Sequence, residues 1–141
     1  MAGDISAGIR SYLAGLAAVT DVTSTRIYAG HLPQKATLPA IVYYVISGTH
    51  DHHLTGSANF GMTRIQMDCY ATTRGTANSL GEILRKNLTH YRGAAGSETV
   101  DNINAGSPRE RDESPKDSSD SWRYVHSRDY LVWHSEPAVS T

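Results

Sequence analysis

Ala40-Ile41-Val42-Tyr43-Tyr44-Val45-Ile46 decides the fold. The run is β-branched and aromatic, and too short for a buried helix, so it spells a strand. It alternates little, so both of its faces are expected to be covered. Pro39 fixes its own φ and keeps Leu38 out of the helical region, and Pro33 does the same for Leu32. Residues 31–39 therefore read as an extended connector. Upstream of it, Arg26-Ile27-Tyr28 reads as a short strand.

Downstream, 47–60 contains Gly48, Gly56, Ser57 and Asn59 and is too long for a tight hairpin turn. It reads as a protruding arm. Residues 61–72 alternate cleanly and form a second strand, with Ile65, Met67, Cys69 and Ala71 on one face and Arg64, Gln66, Asp68 and Tyr70 on the other. After a turn at 73–75, Ala77, Leu80, Leu84 and Leu88 recur at helical spacing, which predicts a helix over 76–91. Glu82 and Lys86 stand four apart as an exposed pair. Arg85, Lys86 and Arg92 near the helix end complement its dipole, and Gly93 stops it.

At the N-terminal end, Ile5, Ile9, Tyr12, Leu13 and Leu16 lie on one helical stripe. Gly8 and Gly15 read as close-packing positions. This helix is expected to end near Ala17 or Ala18, and 19–25 to be turn-like. Toward the C-terminus, 98–105 is a weak strand carried by Val100 and Ile103. The stretch 106–121 has two prolines, five serines, three basic and five acidic residues and no apolar one, so a mobile loop is expected at 107–121. The last strand is 122–133. Neither of its alternate sets is purely apolar, which predicts a bulge near Ser127. The expected order is α-β-β-β-α-β-β. The fold class is α+β, a single domain over 1–141 with one mostly antiparallel sheet covered on one face by two helices.

Composition narrows the function. A chain of 141 residues is one domain's worth. Thirteen basic against fourteen acidic residues give a net charge of −1, which argues against a protein built to grip phosphates. One cysteine, Cys69, leaves no internal disulfide and no multi-cysteine metal site. No apolar run approaches the ~20 residues of a membrane helix. Met1-Ala2-Gly3-Asp4 does not open a signal peptide, so a soluble, non-secreted chain is expected.

Residue types with chemical potential are few. His50-Asp51-His52-His53 carries imidazoles and a carboxylate, which are metal ligands. Four adjacent residues rarely converge on one ion, and no partner motif such as HExxH accompanies them. The segment is read as a solvated or protein-contacting loop, with a small metal-dependent hydrolase as the competing enzyme reading. Cys69 alternates with core residues and reads as one of them. No GxSxG elbow, GxxxxGK[ST] loop or GxGxxG loop is present. These motifs mark no catalytic, cofactor or metal site, and seven histidines and many serines leave a Ser-His-Asp set open on composition alone.

Arg26-Ile27-Tyr28, Leu32-Pro33-Gln34, Leu38-Pro39-Ala40-Ile41-Val42-Tyr43 and Ile65-Gln66-Met67-Asp68-Cys69-Tyr70-Ala71, followed by an alanine- and leucine-bearing helix, form a recognisable series. It resembles the tail-completion or tail-terminator family of long-tailed bacteriophages over about residues 5 to 90. The 107–121 insertion and the two-tryptophan final strand have no counterpart in that pattern. The resemblance implies a non-enzymatic virion protein that forms a ring with copies of itself, usually a hexamer, at the head-proximal end of the tail tube. Such a ring stops tube growth and joins the tail tube protein to the head–tail connector, while DNA passes through without specific binding. A head-side connector or adaptor at the same junction is the alternative. In either case His50, His52, His53 and Leu54 on the arm are the candidate subunit contacts.

Overall fold

The computed structural model describes the backbone at 5–53, 56–115 and 122–135, and side chains there except at 48–60. In chain order the elements are α1 (Ile5–Ala14), α2 (Ala17–Thr23), β1 (Ile27–Ala29), β2 (Ala40–His53), β3 (Gly56–Ala71), α3 (Arg74–Leu88), β4 (Gly93–Ala95), β5 (Glu98–Ala105), β6 (Arg109–Glu113) and β7 (Arg123–Ser135). The class is α+β as expected, with three helices on a curled seven-stranded sheet ordered β1-β2-β3-β7-β5-β4. Only β1 and β2 run parallel; the other pairings are antiparallel.

The N-terminal helix is shorter than expected and is followed by another. Ile5, Ile9 and Leu13 are the buried stripe of α1. The chain breaks at Gly15 and Leu16 and restarts as α2, so 19–23 is helix and the expected turn is confined to 24–25. Its β-branched residues are poor helix formers, yet Val19 and Thr23, four apart, are fully buried. The Thr23 hydroxyl donates to the Val19 carbonyl at 3.2 Å. Burial with a satisfied hydroxyl overrides intrinsic propensity here. Gly8 is a close-packing position, since a Cβ there would collide with the Ala95 carbonyl of β4; Gly15 meets nothing closer than 3.5 Å and is not.

The described part of the arm, 47–53 and 56–60, is built from strand rather than loop. β2 and β3 stay paired through His50↔Gly61, His52↔Ser57 and His53↔Gly56, with irregularities between Val45 and Ser47 and between His50 and His52. The missing alternation in the sequence had hidden a ladder whose register slips twice. The opposite neighbour of β3, β7, is paired as far as Phe60↔Ser135, and the hairpin continues beyond that point.

The expected loop at 107–121 is corrected as well. Within it Arg-Glu-Arg-Asp-Glu at 109–113 forms β6 on the edge of β7; 116–121 lie outside the described residues. No apolar residue is needed, because backbone pairing and ion pairs hold this strand. β5 and β6 share one side of β7, β5 pairing with 130–135 and β6 with 123–127. No bulge occurs near Ser127: β7 pairs with β3 from Ser135 to Tyr124 without a register shift. The mixed character of β7 arises because both of its faces are covered. Tyr130 and Val132 join the main core under the helices, and Val125 joins a second cluster behind the sheet.

That second cluster explains the opening heptad. Ile41 and Tyr43 pack in the main core with Ile65, Met67, Cys69, Leu80, Leu84 and Leu88. Val42 packs behind the sheet with Tyr70 and Val125, capped by Tyr28, Leu32, Leu38 and Tyr44 from β1, β2 and the connector. Both faces are covered only as far as Tyr44. Val45 and Ile46 are 52% and 49% exposed, contrary to the expectation for the whole run.

Candidate functional site

Two features stand out from the core, the β2–β3 arm and the charged back of the sheet. The arm begins where β2 loses its outer neighbour. β1 stops at Ala29, opposite Tyr43, and the Gly30 amide donates to the Tyr43 carbonyl at 2.9 Å. Beyond that bond no strand pairs with the outer edge of β2 among the described residues. Val45 and Ile46 sit at this opening. Of the anticipated contact residues, His50, His52 and His53 lie on the β2 ladder, and their side chains lie outside those described. Leu54 also falls outside the described residues. Among the described residues no three His, Cys, Asp or Glu groups gather to hold a metal.

Behind the sheet, β6 brings a row of arginines onto β3 and β7. Asp68 is 1% exposed, and its carboxylate accepts from Arg111 Nη2 at 3.2 Å and from Gln66 Nε2 at 2.9 Å. Arg111 also donates to the Tyr70 hydroxyl at 3.0 Å and pairs with Glu113 at 3.4 Å. Arg123 pairs with Glu113 at 3.0 Å. Asp129 takes Arg64 at 3.2 Å and Arg109 at 2.8 Å. The Arg111 and Arg123 guanidiniums lie 5.8 and 6.0 Å from the centre of the Tyr70 ring. Burial, then the Glu113 carboxylate, pushes the Tyr70 hydroxyl up to about 12. This arrangement fixes charges in pairs, as a clasp does. Sequence reasoning missed the clasp because 109–113 has no apolar residue; its signal was strand-edge charge, a known guard against stray pairing.

Under the helices the titratable groups are buried or paired. His126 lies opposite Cys69 across the β3–β7 ladder. Its Nδ1 lies 3.1 Å from the Asn78 carboxamide oxygen, and its Nε2 is buried with no hydrogen-bond partner. Burial, then the nearby Arg128, lowers its pKa. Cys69 is 1% exposed, and burial raises its thiol far above the ordinary range. A protonated, enclosed thiol beside an imidazole is core, not an activated nucleophile. Glu82 pairs with Arg85 at 2.8 Å and with Arg128 at 3.5 Å, in place of the expected Lys86. A groove of about 420 Å³ between α2 and α3 is lined by Val22, Thr73, Gly75, Thr76, Ser79, Leu80 and Ile83, none of them an acid or base at neutral pH.

The comparisons agree with an assembly role. No curated protein matches the sequence. The family model for "Tail completion protein gp17" matches residues 7–120. A chain of the structure "Virion of native gene transfer agent (GTA) particle" is similar in fold, with a TM-score of 0.66 at 9% identity, covering 93% of this chain and 94% of that one.

Proposed function

Since the chain belongs to the tail completion protein gp17 family, we propose that it is a non-enzymatic virion subunit that closes the head-proximal end of a phage tail tube. In this reading six copies form a ring that ends tube growth and meets the head connector on its other face. The observation that carries the proposal is the β2–β3 hairpin, which runs past the described end of β7 and whose outer edge beyond Tyr43 pairs with no strand among the described residues. An ordered extension of this kind on a small domain exists to touch something. His50, His52, His53 and Leu54 are its proposed contact residues. The partners are copies of this chain, the tail tube protein and the connector. DNA would pass without specific binding, which a net charge of −1 permits.

Cryo-electron microscopy of virions carrying the chain tests the proposal. The expected result is a single sixfold ring at the head–tail junction into which this fold fits. Its location at the tail tip, along the tube or on the capsid would overturn the assignment.

A further inference from the structure

Three large hydrophobic side chains stand about half exposed among the described residues: Val45 at 52%, Ile46 at 49% and Trp122 at 51%. They are split between two distant places. Val45 pairs with Ile65, which pairs with Tyr130 on β7. Trp122 immediately precedes Arg123, the first residue of β7, which pairs with Glu113 on β6. Seven residues of strand separate Tyr130 from Arg123, about 24 Å at ~3.4 Å per residue. Val45 lies a further two strands across the sheet, on the side away from β6. One molecule therefore cannot cover either patch with the other.

The geometry points to a head-to-tail contact between copies of this chain, in which Trp122 of one copy packs on Val45 and Ile46 of the next. This rests on the ring reading above and names the surfaces that would build it. Three relations favour a second copy in this orientation. A ring closes through heterologous contacts, each joining two different patches of the chain, and these are the two places where large hydrophobic side chains stand exposed among the described residues. The separation runs along β7, so the neighbour is displaced along the strand direction. The arm starts just past Ile46, at Ser47, and continues the same way, so it extends over that neighbour. Finally, the outer edge of β2 beside Ile46 carries backbone groups that no strand of this chain takes up among the described residues, and it can accept an extended segment of the docked copy.

Cysteine pairing tests the inference on the full-length chain, both free at high concentration and in isolated virions. Ile46→Cys and Trp122→Cys are made separately and together; Cys69 is kept, because it is buried. A short bis-maleimide should link mixed copies of the two single variants into dimers, and copies of the double variant into a ladder. Each single variant alone should stay monomeric on denaturing gels. A double variant whose linking stops at dimers, or dimers from either single variant alone, would show a two-fold contact and overturn the inference. The absence of links in both settings would overturn it too. Rings at the junction without the 46–122 link would sink this interface and leave the functional proposal standing. The link forming in solution while the chain is missing from virions would do the reverse.

Discussion

The Asp68 carboxylate, almost wholly buried in β3, is met at 3.2 Å by Arg111 from β6, a strand with no side chain in either core cluster. A buried charge makes this edge strand obligatory. Removing the guanidinium leaves Asp68 with Gln66 alone, and hydrogen bonds to a charged group are worth about 1.5–3 kcal/mol. Arg111→Ala is therefore expected to lower stability by roughly that amount in urea unfolding. It should also speed amide exchange at 109–113 more than in the other strands. Unchanged exchange there would mean that backbone pairing alone holds β6.

Gly81 of α3 faces the His126 ring so closely that an added Cβ would collide with it. Gly81→Ala gains helix propensity but overpacks the core, which costs typically 1–3 kcal/mol. Truncating the ring should relieve the clash. In a double-mutant cycle, Gly81→Ala combined with His126→Ala is expected to be less destabilising than the sum of the single changes.

The same imidazole sets a pH dependence. Its pKa in the folded chain is below the ordinary value of 6.5, so the unfolded chain takes up the proton first. Stability from this group is complete above pH 6.5 and is lost as pH falls through the lowered folded value. Arg128 opposes the extra charge, while Glu82 and Glu110 partly favour it. Unfolding midpoints measured from pH 8 to pH 5 should fall, and His126→Gln should flatten part of that slope.

Cys69 lies in the main core with a raised thiol pKa. Native protein is expected to resist alkylation by iodoacetamide until denaturant is added. Cys69→Ser should cost about 1–3 kcal/mol for burying a hydroxyl without a prepared partner. Rapid labelling of the native chain would contradict its placement.

Replacing 47–60 with a short Gly-containing turn removes the arm and keeps every described residue of both core clusters. The monomer is expected to melt cooperatively, since the core residues named above all lie outside 47–60. Heads and tails should accumulate unjoined. A normal yield of virions would show that the arm is dispensable.

Much of the fold was legible where burial wrote a period. Ile65, Met67 and Cys69 sit in the main core, as their alternation requires, and Leu80, Leu84 and Leu88 bury the stripe of α3. Legibility failed where something other than an apolar period held the chain. α2 is made of Val and Thr, which burial and a hydroxyl-to-carbonyl bond keep helical. β6 is held by charges. The back of β3, read as the face away from the helices, buries Asp68 and Tyr70 because Arg111 and the 30–39 connector come over it, a long-range event no local pattern records. For the candidate surface, the protruding arm could be read from length and composition. The exposure of Val45 and Ile46 could not, because it depends on β1 ending three pairs into β2.

The unbroken β3–β7 ladder has a mechanical meaning. Its twelve consecutive pairs run from Ala71↔Tyr124 to Phe60↔Ser135, a beam about 37 Å long that leads into the arm. A tug on the arm along that beam loads the cross-strand bonds in shear, all sharing the force, where a pull across it would peel them one at a time. The arm is thus anchored most firmly against the tension it would meet lengthwise, and rupture there should start at the two slipped registers of β2 rather than within the beam.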